Sequence, residues 1–325
     1  MRKVSLSICL LLVCNSCKPK QTIVLSGKIV VKEFQENKYS VYTDGIKTSE
    51  FRMPYNEQLE SGLTSWANTE NAFIGWQRTY CKNESEYSIC KFDTNGKVID
   101  TIYEVGVDKI LWPYYLSRNN KYLIASTHDS KTDASLPLEG LNPSMSLLVI
   151  DTAEKRVICE VNDIGRAIGF HIEEYPWLSD NARFVYSLGN PVEIIYNGQG
   201  LVKSTNPGVY LYDIRNSKSK LLISDGYNAI VSPDGDNIAY QKNDGIYIMN
   251  LNNSLSHRIY KVKSFCNLRT MHWTPDGKYI YFIHAHNSQL YKLLLGVEEE
   301  MIDCKSDEEV NFAKIGHGYY SYMWK

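Results

Sequence analysis

The sequence has almost no charge imbalance and lacks two motifs that would mark a metal or catalytic centre. Its 35 Lys and Arg nearly balance its 37 Asp and Glu, which argues against bulk electrostatic attraction to nucleic acid or anionic lipid. None of the cysteines after residue 17 lies in a C-x-x-C motif, which excludes a zinc ribbon and a thioredoxin-like centre. No G-x-S-x-G motif is present, so the nucleophile elbow of the α/β-hydrolases is absent.

The apolar run at the N-terminus is too short to cross a bilayer. Arg2 and Lys3 precede the run VSLSICLLLVC, which occupies residues 4–14. A basic start followed by an apolar segment of this length is typical of a signal peptide rather than of a transmembrane helix. We therefore expect the mature chain to lie outside the cytoplasm.

The residues that follow resemble the lipobox of bacterial lipoproteins. Ser16 precedes Cys17, and a polar stretch follows, although Cys14 stands where that family prefers Leu. The resemblance implies a signal peptide at 1–16, lipidation of Cys17, a short tether at 17–21, and membrane attachment through the lipid. It places the protein in the envelope of a Gram-negative bacterium, at the outer membrane and facing the periplasm or the surface; simple secretion is the alternative.

An odd number of cysteines remains after the signal peptide and the lipidated residue are set aside. At least one of these is therefore unpaired within the chain. Two of them flank a predicted hairpin, but the expected register does not place them opposite each other. The five are Cys81, Cys90, Cys159, Cys266 and Cys304.

Two segments of the chain have nearly the same sequence. They are IVSPDGDNIAY at 230–240 and HWTPDGKYIYF at 272–282. Each predicts a strand, a Pro-Asp-Gly turn and a second strand, and each is followed by a third strand, at 245–251 and 289–295. A small repeated unit cannot bury its own apolar faces and must stack on its copies.

Three weaker copies precede these two, and two columns of residues relate all five. Large side chains occur two residues before each turn, where we predict that they pack between neighbouring units. Asp or Asn ends most of the third strands, where its side chain can accept hydrogen bonds from the next turn. The weaker copies begin at Trp66, Tyr115 and Trp177; the first column continues at Ile230 and His272, and the second consists of Asp93, Asp151, Asp213 and Asn250.

Four short antiparallel strands per unit, repeated radially, are typical of a β-propeller. The pattern S/T-P-D-G followed by alternating apolar residues resembles the TolB-like propeller repeat over residues 64–302. The resemblance implies an all-β propeller and says little about activity. Strand-like segments at 22–34, 38–43, 310–315 and 319–324 are left over at the two chain ends, so we predict one propeller domain at 22–325. It has six blades of four antiparallel strands, with the ring closed by strands from both chain ends; five and seven blades are the alternatives.

Insertions interrupt the repeat at 128–143 and 188–207, at equivalent positions in adjacent units. Both emerge on one face of the disc, which also receives the inter-blade connection 163–176. Loops that extend from a rigid scaffold are common recognition sites. We therefore predict a non-catalytic binding module for an envelope protein, a peptide or a glycan, without a cofactor. The candidate binding residues are His128, Asp129, Asn142, His171, Glu173, Glu174, Asn190, Tyr196 and Asn197.

A metal-dependent enzyme is the alternative. His284 and His286 alternate on a predicted strand, so both imidazoles lie on one side of it, where they would need further ligands to hold zinc or manganese. Certain TolB-like propellers that act as pectin-fragment lyases bind a metal through histidines. This likeness implies a polysaccharide lyase or hydrolase as the alternative function.

Overall fold

Segments of alternating apolar and polar residues form strands throughout the part of the chain that the structure describes. The computed structural model describes residues 28–33, 38–43, 46–67, 70–81, 84–107, 109–129, 146–161, 170–171, 176–188, 208–242, 244–261, 268–273, 277–284, 290–294 and 322–324. These residues form strands and turns without a helix. No helix long and apolar enough to cross a membrane is therefore found among them.

The strands form six antiparallel sheets, which we number along the chain. Sheet 1 contains β1 (Lys28–Glu33), β2 (Lys38–Thr43) and β3 (Ile46–Arg52), and sheet 2 contains β4 (Leu59–Trp66), β5 (Ala72–Cys81), β6 (Glu84–Asp93) and β7 (Val98–Val105). Sheet 3 contains β8 (Lys109–Leu116), β9 (Tyr122–Asp129), β10 (Ser146–Asp151) and β11 (Arg156–Val161). Sheet 4 contains β12 (Phe170–His171), β13 (Arg183–Leu188), β14 (Gly208–Asp213) and β15 (Lys218–Ser224). Sheet 5 contains β16 (Tyr227–Val231), β17 (Asn237–Lys242), β18 (Gly245–Asn250) and β19 (Ser256–Lys261), and sheet 6 contains β20 (Leu268–Trp273), β21 (Tyr279–His284) and β22 (Leu290–Leu294).

The last strand, β23 (Tyr322–Trp324), joins the first sheet. It pairs antiparallel with β1, with Val30 opposite Met323, so sheet 1 has the order β23-β1-β2-β3. In sheets 2 to 5 the strands follow one another in chain order, with the earliest strand at one edge. The C-terminal strand therefore occupies in sheet 1 the position that the first strand occupies elsewhere.

Consecutive sheets stack face to face through shared apolar clusters. Each of the five clusters combines buried residues from two sheets that follow one another in the chain. Strand β16 illustrates the cause, because side chains alternate between the two faces of a strand. Ala229 and Val231 pack against sheet 4, whereas Ile230 packs against sheet 6.

The predicted column of large residues before the turns lies between sheets, as expected. Trp66 is buried in the cluster shared by sheets 1 and 2, with its ring 4.3 Å from that of Phe73. Trp177 is buried between sheets 3 and 4, and its indole Nε1 donates a hydrogen bond to the carbonyl of Tyr115 at 3.0 Å. The interpretation of these residues as inter-unit packing is confirmed.

The predicted Asp and Asn column also behaves as expected. The Asp93 carboxylate accepts hydrogen bonds from the backbone N–H groups of Asn95 and Lys97 at 2.8 and 2.9 Å. These hydrogen bonds, with that from Lys97 the strongest, lower the pKa of Asp93. Asp151, Asp213 and Asn250 accept equivalent bonds from the turns that follow them. Each side chain therefore holds the turn between the third and fourth strands of its sheet.

The first turns of sheets 3, 4 and 5 converge at one end of the sheets, which we call the turn end. The Arg118 guanidinium donates to the carbonyls of Ser232, at 2.8 Å, and Pro233. The Asn119 N–H donates to Asn181 Oδ1 at 3.1 Å. These bonds connect sheet 3 with both sheet 4 and sheet 5.

Two strands differ from the sequence prediction. Strand β3 was not predicted, because six of its seven residues are exposed and give no apolar alternation. The first strand of sheet 4 was placed at Trp177, but it is divided. Phe170 and His171 form β12 within the predicted connection, and Trp177 makes only an isolated bridge with Phe184. The predicted strand at 310–315 lies outside the described residues.

The described cysteines are all free. Cys81 lies opposite Glu84, and Cys90 lies opposite Gly75, so the two thiols are not paired across the hairpin, as expected. Cys90 and Cys159 are buried, whereas Cys81 is exposed. The remaining two, Cys266 and Cys304, lie outside the described residues.

Candidate functional site

The two insertions leave the sheets from the end opposite the turn end, which we call the insertion end. In sheet 3 the ladder between β9 and β10 ends where Thr127 pairs with Ser146. In sheet 4 the ladder between β13 and β14 ends where Leu188 pairs with Gly208. Each of these pairs lies at the opposite end of its hairpin from the first turn. The sequence prediction that both insertions emerge on one side agrees with these registers.

Three of the predicted binding residues have described backbone at the insertion end. His128 and Asp129 pair with Ile110 and Lys109 at the start of β8. His171 pairs with Ser187 near the end of β13. The structure does not describe the side chains of these three residues, so their role remains a prediction. The other candidates, Cys17, Asn142, Glu173, Glu174, Asn190, Tyr196, Asn197 and His286, lie outside the described residues.

The predicted histidine pair is described only in part. His284 ends β21 and its backbone pairs with Leu268, but its side chain is not described. Among the residues whose side chains the structure describes, no three His, Cys, Asp or Glu side chains lie close enough to hold a metal ion.

A group of aromatic and charged side chains occupies the insertion end of sheet 2. Strands β5 and β6 are ten residues long, longer than their counterparts in the other sheets. Because side chains alternate along a strand, Ile74, Trp76, Arg78 and Tyr80 share the face of β5 that packs on sheet 3. Ile74 is buried in the cluster shared with sheet 3, whereas the other three are half-buried. This face therefore changes from apolar and closed to polar and accessible towards the insertion end.

Glycine in the neighbouring strand makes room for the first of these side chains. Gly62 of β4 lies opposite Trp76, and a Cβ atom on it would meet the indole ring at 2.9 Å. The Trp76 ring therefore lies across the strand that carries Gly62. Its centroid is 5.1 Å from that of Trp112, with an angle of 76° between the rings. Trp112, in the first strand of sheet 3, is 38% exposed.

Two tyrosines hold the arginine in place. The Arg78 guanidinium carbon lies 4.5 Å from the ring centroid of Tyr80 and 5.3 Å from that of Tyr87, within the range of cation–π attraction. Arg78 Nε is buried and has no hydrogen-bond partner among the described residues. Partial burial raises the pKa of both tyrosines, and the charge of Glu60 raises it further.

A carboxylate completes the group. Glu60 lies directly opposite Arg78 in the ladder between β4 and β5, so their side chains emerge on the same face. The Tyr80 hydroxyl donates a hydrogen bond to Glu60 Oε2 at 2.9 Å. We call the six residues Glu60, Trp76, Arg78, Tyr80, Tyr87 and Trp112 the aromatic–arginine cluster.

None of the residues in this cluster is among the binding residues predicted from the sequence. The available signal is the alternation W-x-R-x-Y at 76–80, which places three large polar-tipped side chains on one face of a strand. The partners on β4, β6 and β8 come from other parts of the chain and are brought near only by the strand registers. The cluster offers ring faces, a guanidinium and a carboxylate, which can stack on a ligand and form hydrogen bonds with it.

No protein family matches the chain, and neither does any curated protein. Several solved structures do. An oligogalacturonate lyase from Vibrio parahaemolyticus is 13% identical and has a TM-score of 0.50, covering 85% of this chain and 80% of the other. A putative TolB from Agrobacterium tumefaciens is also 13% identical, with a TM-score of 0.43 over 82% of this chain and 83% of the other.

The described residues form an all-β fold of stacked antiparallel sheets, which, together with the likeness to the first of these structures, is consistent with a propeller. At such low identity the likeness concerns the fold alone.

Proposed function

We propose that the protein is a non-catalytic binding module whose insertion end takes up an envelope protein, a peptide or a glycan. The observation that carries the proposal is the position of the aromatic–arginine cluster, at the same end of the sheets as the two insertions. Trp, Tyr and Arg are the residue types that contribute most to binding energy at interfaces. All of them except the buried Tyr87 are partly exposed, at the end of a rigid stack of sheets, where recognition residues commonly lie.

The scaffold for this module is a ring of six blades, with sheet 1 as the composite blade. Pairing of β23 with β1 supports closure by strands from both chain ends. Lipidation of Cys17 attaches the ring to the outer membrane of a Gram-negative cell, facing the periplasm or the surface. The nearly balanced charge of the protein supports a partner other than nucleic acid.

Site-specific photo-crosslinking in intact cells tests which end of the ring binds. A photoreactive residue replaces Asn142 or Tyr196 in the insertions, and Asn253, in a turn at the other end, serves as the matched control. We expect crosslinks to one partner from the two insertion positions and none from Asn253. The proposal is wrong if only Asn253 crosslinks, or if all three positions give the same products.

Replacement of the first insertion tests whether this loop takes part in binding. Asp129 belongs to the ladder with β8, so the replacement should begin after it, with a short glycine linker in place of 130–143. Because no described strand pairing is removed, we expect an unchanged urea unfolding curve together with loss of the crosslinked partner. A variant that unfolds as the parent does and retains the partner would show that this insertion has no part in binding.

A metal-dependent polysaccharide lyase or hydrolase is the second candidate. It is supported by the fold shared with an oligogalacturonate lyase and by the spacing of His284 and His286. Elemental analysis of the purified protein separates the two candidates. Stoichiometric zinc, manganese or calcium that is lost on replacing both histidines with Ala would favour the enzyme. Metal-free protein whose melting curve does not respond to a chelator would favour the binding module.

A further inference from the structure

We infer that the aromatic–arginine cluster binds a neutral glycan. The inference rests on the proposed binding function and narrows it to one ligand class at one place. It depends on three properties of the cluster: an accessible indole, a balanced pair of charges, and side chains already fixed in position.

The accessible indole is Trp112. It lies in the first strand of sheet 3, where Leu111 and Pro113 on either side of it are buried, yet it is 38% exposed. The near-perpendicular Trp76 ring supports it from one side. Sugar rings present a face of C–H groups whose partial positive charge is attracted to the negative face of an aromatic ring.

Two opposite charges lie across from each other on the face that carries Trp76. Arg78 follows Trp76 by two residues on the same face of β5, and Glu60 lies opposite Arg78. A carboxylate or sulfate ligand attracted by Arg78 would meet the repulsion of Glu60, and a cationic ligand would meet the reverse. A pair of neighbouring hydroxyl groups avoids both penalties, because one donates to the carboxylate while the other accepts from the guanidinium.

The polar groups are held in position before a ligand arrives. The rings of Tyr80 and Tyr87 lie against Arg78 and fix its guanidinium without using its terminal N–H groups, which can donate to a ligand oxygen. The Tyr80 hydroxyl fixes Glu60. Groups that are fixed in advance lose little entropy on binding, which favours affinity for a weakly interacting ligand such as a sugar.

A peptide is the competing ligand for the same surface. Peptides that bind strongly to β-proteins commonly add a strand to an exposed sheet edge and bond to its backbone. The donors and acceptors of this cluster are side chains instead. This difference favours the glycan as the ligand. Stronger binding of the peptides would contradict the inference.

Isothermal titration calorimetry on the mature chain tests the inference. The probes are neutral hexasaccharides of glucose, xylose, mannose and N-acetylglucosamine, compared with hexagalacturonate and with a mixture of unstructured peptides. We expect at least one neutral hexasaccharide to bind and hexagalacturonate to bind more weakly. Trp112→Ala should weaken neutral binding by about tenfold or more, since it removes the stacking surface. Ile99→Ala, at an exposed residue of β7, the outer strand of sheet 2, is the control and should bind as the parent does.

Glu60→Gln tests the argument from charge. It keeps the shape and one hydrogen-bond acceptor but removes the negative charge, so hexagalacturonate binding should strengthen relative to neutral binding. The inference is overturned if no neutral hexasaccharide binds, if hexagalacturonate or the peptides bind better to the parent protein, or if Trp112→Ala binds as the parent does. If crosslinks still come from the insertions while all the sugars fail, only the ligand class is wrong and the proposed function stands.

Discussion

Tyrosine hydroxyls are the polar groups that accompany apolar packing between the sheets. The hydroxyls of Tyr186 and Tyr240 share hydrogen bonds with Ser219 and Ser256 at 2.8 and 2.6 Å, each serine lying in or near an outer strand of the same sheet. The Tyr39 hydroxyl accepts a hydrogen bond from the backbone N–H of Leu63. A tyrosine thus fills the interior with its ring and meets a polar group with its tip. Burial raises the pKa of these three phenols, so the folded state requires their neutral form.

Tyr227 allows that requirement to be tested. Burial raises its pKa to about 12, whereas a tyrosine in an unfolded chain ionises near pH 10. The stability gained from keeping this phenol neutral is therefore complete below pH 10 and is lost as the pH rises towards 12. Tyr227→Phe cannot ionise in either state, so it should match the parent at pH 8 and be more stable than the parent at pH 11. Urea unfolding midpoints at the two pH values measure the difference.

Tyr55→Phe is the control for this prediction, because Tyr55 is 70% exposed. It should leave the unfolding midpoint unchanged at both pH values. A Tyr227→Phe variant that loses as much stability as the parent between pH 8 and pH 11 would contradict the assignment of the alkaline loss to this residue.

At the scale of the element, the first turn keeps its conformation after its sequence has changed. Gly235 and Gly277 of the two Pro-Asp-Gly turns have φ values of 85° and 69°. The turns of sheets 3 and 4 lack this tripeptide, yet Asn120 and Asn181 occupy the equivalent positions with φ values of 59° and 54°. Asn tolerates the left-handed region better than most residues, which explains how the turn persists.

The two glycines differ in their surroundings and so form a matched pair for mutation. A Cβ atom on Gly235 would meet the backbone nitrogen and side chain of Ser179 in sheet 4 at 2.8–2.9 Å, whereas on Gly277 the nearest atom would be 3.8 Å away. Gly277→Ala should cost about 1 kcal/mol of stability through its positive φ alone. Gly235→Ala should cost about 1–3 kcal/mol more, because it also forces sheets 4 and 5 apart. Equal losses in urea unfolding would contradict the contact seen between these sheets.

Structural features that neighbouring residues encode could be predicted from the sequence, and features that join distant segments could not. Hairpins follow from alternation and turn residues that are neighbours in the chain, so the repeated units were predicted well. Strand β3 was missed because an exposed edge strand needs no apolar face. Pairing of Glu60 with Arg78 depends on a register between two strands, and the approach of Trp112 depends on the stacking of two sheets. Neither is encoded in a short segment, so the aromatic–arginine cluster was not predictable.

For the whole molecule, stability is distributed over interfaces between neighbouring sheets. Each described cluster joins only two consecutive sheets, as in other repeat architectures. Arg118 is an exception, because it joins sheet 3 to the turn of sheet 5 and passes over sheet 4. Such an array is open to fraying at its two ends unless those ends are joined. Sheet 1 is the place where the chain ends meet, through the pairing of β23 with β1.

Removing β23 therefore tests whether the array behaves as a closed ring. Truncation after Ser321 deletes a strand that pairs with β1 at three positions and contacts β4 of the next sheet. In a closed ring this loss should lower the stability of every sheet together, because all of them depend on closure. We expect a lower urea midpoint and rapid proteolysis at the N-terminal strands. The loss of stability should be larger than any single surface substitution causes. Removal of Lys325 alone is the control and should change nothing. If the truncated protein unfolds at the same urea midpoint as the parent, the six sheets form an open stack. Strand β23 is then an edge strand of sheet 1 and does not close a ring.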